Sequence, residues 1–190
     1  MNVCPSGCTY TNPLDAWYAT FAVTPVNGAI ITIQIADGTY NLANQFYTEL
    51  PHTKSVHILG NITAPTKVVL NFTHTQGTNL CGFAAYNGGL IGSIDGITIQ
   101  APLDGTGSLA STDSRGRHFG AGISFNGAGS SIHLGNHIIV KGFYYSLVAD
   151  NNAGIDAPNG GMGMPIAGDV NAMARGGGVI VCTPWYSKRR

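Results

Sequence analysis

Residues 29–40 read Ala-Ile-Ile-Thr-Ile-Gln-Ile-Ala-Asp-Gly-Thr-Tyr, and Ile31, Ile33 and Ile35 alternate with Thr32, Gln34 and Ala36. A period of two marks a strand with one buried face. Asp37-Gly38 is a turn signal, after which Thr39-Tyr40 resumes β-prone chain. A hairpin needs a second alternating run within a few residues, and the polar Asn41-Leu42-Ala43-Asn44-Gln45 does not supply one. The next strand-like run, residues 55–61, comes one solenoid turn later and closes in a similar way on Leu59-Gly60-Asn61.

The rhythm continues. Lys67-Val68-Val69-Leu70-Asn71-Phe72 is another strand, and the segments 82–89 and 92–100 form a two-part unit that returns at 122–127 and 132–140. Tyr86-Asn87-Gly88 aligns with Phe125-Asn126-Gly127, an offset of about 40 residues, or one coil plus an inserted loop at 101–120. A third echo lies at 147–155. Each unit is a short apolar strand closed by Gly, Asn or Asp, the residues that tolerate the left-handed backbone of a sharp corner. Stacked on one another, such units share a continuous core, and Asn61, Asn87, Asn126 and Asn152 are placed to form a hydrogen-bonded ladder along a corner. After Asp156 the pattern fades into a Gly-, Ala- and Met-rich stretch, with 179–182 as a last strand and Trp185 and Tyr186 as a plug for the far end.

Ahead of the strands, Asn12-Pro13-Leu14-Asp15 is a helix start, with Asn as N-cap, Pro at the first helical position and an acid in the first turn. Leu14, Trp17, Tyr18 and Phe21 recur on one face, and the helix stops before Pro25. A solenoid exposes an apolar end, and this helix is expected to cap it. The expected organisation is an arm at 1–11, a capping helix and turn at 12–28, a coil at 29–156 and an irregular C-terminal segment at 157–190.

Composition narrows the class. Charged residues are only 9% of the chain, hydrophobic residues are 44%, and the 27 glycines among 190 residues suit many tight turns. A formal net charge of zero argues against a nucleic-acid partner. No run reaches the length of a membrane span, and no basic n-region marks a signal peptide. Cys4 and Cys8 are spaced for a small disulfide, for two metal ligands or as reduced thiols, and all three readings stand. The six histidines show no metal-ligand spacing on a common face, with His133 and His137 the nearest approach, so neither a metal nor a cofactor is expected.

Residues 33–40, Ile58-Leu59-Gly60-Asn61, Val68-Val69-Leu70-Asn71-Phe72 and Ile94-Asp95-Gly96-Ile97-Thr98-Ile99 together resemble the N-terminal coils of pectin-lyase-like proteins. The resemblance covers roughly residues 12–156 and is nearest to the versions in bacteriophage tail fibres and tailspikes. It implies an all-β fold, a short right-handed single-stranded parallel β-helix with an N-terminal capping helix. It also implies a homotrimer in a virion, among other virion proteins and in contact with a host-surface polysaccharide. These motifs specify the coil and carry no chemistry.

Chemistry must therefore come from elsewhere. The inserted loop concentrates charge in Asp113, Arg115, Arg117 and His118, a set suited to an acidic sugar or a neighbouring subunit. Tyr144 and Tyr145 offer an aromatic platform for a sugar ring. A glycosidase needs two facing carboxylates; Asp150 and Asp156 are the best pair, while Asp37 and Asp95 sit before Gly at turn positions and read as structural. No Gly-x-Ser-x-Gly elbow, phosphate loop or dinucleotide fingerprint is present. The expectation is a structural or receptor-contact virion component without catalysis. The alternatives are a polysaccharide hydrolase or lyase, and a bacterial surface adhesin that binds glycan.

Overall fold

The computed structural model of the chain describes residues 1–26, 28–73, 81–101, 121–143, 145–157 and 170–182. In chain order these form β1 (Asn2–Val3), α1 (Pro13–Ala19), β2 (Ile31–Ile35), β3 (Gly38–Leu42), β4 (Phe46–Thr48), β5 (Val56–Leu59) and β6 (Val68–Phe72). Then follow β7 (Cys81–Tyr86), β8 (Leu90–Asp95), β9 (Ile97–Gln100), β10 (Ala121–Asn126), β11 (Ser131–Leu134) and β12 (Ile138–Lys141). The last strands are β13 (Tyr145–Asp150), β14 (Gly154–Ala157), β15 (Val170–Arg175) and β16 (Val179–Cys182).

The fold is all-β, built of parallel sheets. One sheet runs β1-β2-β5-β8-β11-β14-β16, a second β3-β6-β9-β12 and a third β4-β7-β10-β13-β15. The chain visits them in a fixed order: β2, β3 and β4 take one place each in the first, second and third sheets, and so do the next three triplets. Parallel neighbours require a long crossover. Here the crossover from β2 to β5 is made of β3 and β4, the strands of the other two sheets. This is why the hairpin signal is missing after Asp37-Gly38.

Register stacks like upon like. Ile33 lies beside Ile58, Ile58 beside Ile94 and Ile94 beside Leu134 in the first sheet. Tyr40, Leu70, Ile99 and Val140 form the matching column of the second sheet. Phe46, Phe83, Ile123 and Leu147 form that of the third. All belong to one buried cluster. The rings of Phe46 and Phe83 stack at 4.5 Å, and Phe72 reaches both from the second sheet at 6.3 and 6.4 Å.

The helix forms as its signals require. Asn12 Oδ1 accepts the Leu14 amide at 2.9 Å and Pro13 occupies the first turn. Trp17 is fully buried, donates from Nε1 to the Tyr47 carbonyl at 3.2 Å and meets Phe46 edge-on at 5.9 Å, so α1 packs onto the first strands of the stack. Tyr18 departs from expectation. It is 45% exposed and flanks Phe21, while Ala16 enters the core in its place. The apolar stripe is thus narrower than the aromatic residues suggested.

Other details also differ from the sequence expectation. Phe125 pairs with Ala85 and Asn126 with Tyr86, one residue away from the alignment of Tyr86 with Phe125. With a side-chain period of two, a one-residue slip exchanges inside for outside. Phe125 points into the core and Tyr86 out of it, although both are aromatic and both precede Asn. Left-handed corner positions include Asn87 (φ 53°), Gly127 (φ 91°), Asn151 (φ 50°), Asn152 (φ 64°) and Gly176 (φ 57°).

The amide ladder exists with other members. Asn71 Nδ2 donates to Asn41 Oδ1 at 2.7 Å and Gln100 Nε2 to Asn71 Oδ1 at 3.4 Å. Asn61 instead donates to Asp37, Asn87 to Glu49, and Asn126 accepts from Asn151. Of the segments expected to be irregular, the arm contributes β1, and Val170–Arg175 continues the third sheet as β15. Cys4 and Cys8 form a disulfide, and Cys81 is a buried free thiol.

Candidate functional site

Outward-facing residues of a parallel stack line up in rows one strand apart, so chemistry distant in sequence becomes adjacent. On the first sheet one row runs Thr32, His57, Ser93 and His133, and the backbone of Asp156 pairs with His133. A local irregularity lies next to this row. Ile132 pairs with Ile91 and His133 with Ser93, so Gly92 is an extra residue, a β-bulge. Ile91 and Ile94, three residues apart, are therefore both buried, and Gly92 and Ser93 are both left on the outer side.

Gly92 also makes room. A Cβ there would lie 2.4 Å from the Lys54 carbonyl oxygen, 2.6 Å from that of Val56 and 3.1 Å from His57 Nε2. With hydrogen in that place, the imidazole folds across the strand and His57 Nδ1 comes to 2.7 Å from Ser93 Oγ. Burial lowers the His57 pKa below its usual 6.5, and the neighbouring His133 lowers it further. At neutral pH His57 is thus a neutral imidazole, able to accept a proton. Beside the pair runs a groove of about 300 Å3 lined by Lys54, Ile91, Gly92, Ile132, His133 and Ile155 among others.

The third sheet presents a different surface. Tyr47 and Tyr86 lie with ring centroids 5.6 Å apart. Tyr47 donates its hydroxyl to Glu49 Oε1, which also accepts from Asn87 Nδ2 at 3.0 Å. Burial and the Glu49 carboxylate push the Tyr47 phenol up to about 12. Burial above all pushes Tyr86 up to about 12, and the Cys81 thiol is raised by its own burial. Tyr145, expected in an aromatic platform, packs with Tyr47 and Tyr86 around Cys81, Ala84, Ala121 and Val148, a cluster separate from the main core.

The remaining expected residues are scattered. Asp150 is buried at the end of β13 in the third sheet, while Asp156 lies in β14 of the first sheet, beyond the Asn151-Asn152 corner. Asp113, Arg115, Arg117, His118 and Tyr144 lie outside the described residues. Asp95 serves its corner: Oδ1 accepts the amides of Gly96 and His137, both at 2.8 Å. Asp37 accepts from Asn61 and lies 3.8 Å from Lys67 Nζ. His133 and His137 are separated, the first on the outer row and the second against Asp95. Among the described residues no three His, Cys, Asp or Glu side chains gather as a metal site, and no helix is long and apolar enough to cross a membrane.

The row through Ser93 was missed from sequence because its members stand 36 and 40 positions apart. The signal was present: His57-Ile58-Leu59, Ser93-Ile94-Asp95 and His133-Leu134-Gly135 each place a polar residue just ahead of the same core column. Comparison with protein-family models, with curated proteins and with solved structures finds no match to this chain.

Proposed function

We propose that the three sheets are the faces of a right-handed single-stranded parallel β-helix of the pectin-lyase-like kind. In this reading the protein is a structural and receptor-contact component of a bacteriophage particle, assembled as a homotrimer beside other virion proteins. Its third-sheet face meets a host-surface polysaccharide. The fold side of the reading is supported by the recurrent circuit through three parallel sheets.

The functional side is carried by one observation, the tilted Tyr47–Tyr86 pair rimmed by Glu49 and Asn87. Sugar C–H faces stack on aromatic rings, and their hydroxyls bond to carboxylate and amide groups, whereas a nucleic acid would call for positive charge that this net-neutral chain lacks. The low charge of the chain also suits close packing of copies.

The test is binding of the purified chain to a panel of bacterial surface polysaccharides, with Glu49→Ala and Asn87→Gly as variants, alongside light scattering for assembly state. Both variants leave the core intact, since both side chains are exposed and Asn87 already holds a backbone that glycine prefers. Selective binding by the native chain, weakened about tenfold or more in either variant, supports the reading. Equal binding by all three proteins, or none across the panel, rejects this face as the contact surface. A monomer at all concentrations rejects the trimer.

A further inference from the structure

We infer that Ser93 and His57 form a nucleophile–base pair that hydrolyses carboxylic esters, with the acyl group seated in the apolar groove beside them. The inference is independent of the glycan reading, because it concerns the first sheet and not the tyrosine face of the third. Three observations converge on it. Ser93 holds the outward place ahead of the Ile94 core column, as His57 does ahead of Ile58, and the bulge leaves Gly92 beside it on the same outer side. The absence of a side chain at Gly92 lets the imidazole approach. The resulting His57 Nδ1–Ser93 Oγ distance of 2.7 Å lies within the reach required of a base acting on a nucleophilic hydroxyl.

The groove specifies the substrate. Val179, 53% exposed, gives the groove an apolar wall, with the all but buried Ile91, Ile132 and Ile155 also in its lining, and Lys54 provides a cation. A volume of about 300 Å3 suits a short acyl chain rather than a polymer backbone. The neutral state of His57 leaves Nδ1 free to take the hydroxyl proton at physiological pH.

The reaction balances with water alone. Ser93 Oγ attacks the ester carbonyl carbon as its proton passes to His57 Nδ1. The C–O bond to the alcohol then breaks, and the departing oxygen takes that proton from His57, leaving an acyl-Ser93 ester. Water attacks this second ester and gives a proton to His57. The bond between the acyl carbon and Ser93 Oγ breaks, and His57 returns the proton to Oγ. One ester and one water become one acid and one alcohol.

The test uses the full chain with p-nitrophenyl esters of increasing acyl length and, separately, a fluorophosphonate that labels activated serines, its site mapped by mass spectrometry. The variants are Ser93→Ala, which removes only the hydroxyl, His57→Gln, and Thr32→Ala as a control on the same row. Expected are labelling at Ser93, turnover reduced to the buffer rate in Ser93→Ala, and a loss of about 100-fold or more in His57→Gln, with Thr32→Ala unchanged. The acid limb of the rate profile should fall below pH 6.5 and move upward in His133→Gln, with Lys54, the lysine among the described residues lining the groove, left in place. Turnover unaffected by Ser93→Ala overturns the inference, as does a native chain that neither turns over any ester nor takes the label.

Discussion

Phe46→Ala is the most informative perturbation of the scaffold, because Phe46 joins three parts of it. The ring is fully buried, stacks on Phe83 of the next strand in its own sheet at 4.5 Å, meets Phe72 of the second sheet at 6.3 Å and touches Trp17 of the helix at 5.9 Å. Truncating a buried Phe to Ala costs about 3–5 kcal/mol, the sum of lost transfer energy and the cavity left behind. Each aromatic pair adds about 0.5–1.5 kcal/mol beyond its area. Three such pairs place the expected loss toward the upper end, about 4–5 kcal/mol. For a chain of this size that corresponds to a fall in Tm of roughly 8–20 °C. Phe46→Leu keeps most of the volume but not the stacking, and should lose about 1–2 kcal/mol. Urea titration followed by far-ultraviolet circular dichroism measures both, and Trp17 emission in a Trp185→Phe background should shift to the red if water enters beside the helix. A loss below about 1 kcal/mol for Phe46→Ala would refute the reasoning, since a ring that locks sheet, sheet and helix together cannot be removed so cheaply.

Three further outcomes follow from the corners and the titrating groups. Asn151 holds a left-handed backbone at φ 50°, so Asn151→Ala should destabilise by about 1–2 kcal/mol while Asn151→Gly should lose less, as read by urea midpoints. Tyr47 and Tyr86, both raised to about 12, keep their protons in the folded state where an unfolded phenol loses its own near 10. Their contribution to stability is therefore complete below pH 10 and lost as pH rises toward 12. Ultraviolet titration should show the phenolates of these two residues last, and Tyr47→Phe should flatten the alkaline fall. His57 shifts in the opposite direction: its folded pKa lies below 6.5, so the unfolded chain binds the proton first. Stability from this group is complete above pH 6.5 and declines as pH drops from there to the folded pKa, and His57→Gln should remove that part of the slope.

Much of the scaffold was legible from local chemistry. The alternation of Ile31, Ile33 and Ile35, the N-cap at Asn12 and the Gly and Asn corners each report a backbone preference that holds whatever the rest of the chain does. The absence of a hairpin partner after Asp37-Gly38 was enough to point to parallel strands. Sequence also marked Asp37 and Asp95 as corner residues, and both bond to neighbouring corners. What it misplaced was phase. A period of two carries no label for inside and outside across a 40-residue gap, so Phe125 was matched to Tyr86 instead of Ala85. Of the asparagines expected in a ladder, Asn126 bonds to Asn151 while Asn61 and Asn87 bond to carboxylates, and the Asn41–Asn71–Gln100 run went unread.

The residues themselves determined that this chain makes short strands broken by left-handed corners and capped by one helix, because those choices depend on groups within a few positions of each other. Only the tertiary structure decided which side chains became neighbours across turns. Ser93 meets His57 because the strand beside it carries an imidazole at the same height and because Gly92, having no side chain, leaves that imidazole room. Strand register is set by how the whole core packs. A row of outward side chains is therefore a property of the stack, written in no one of its strands.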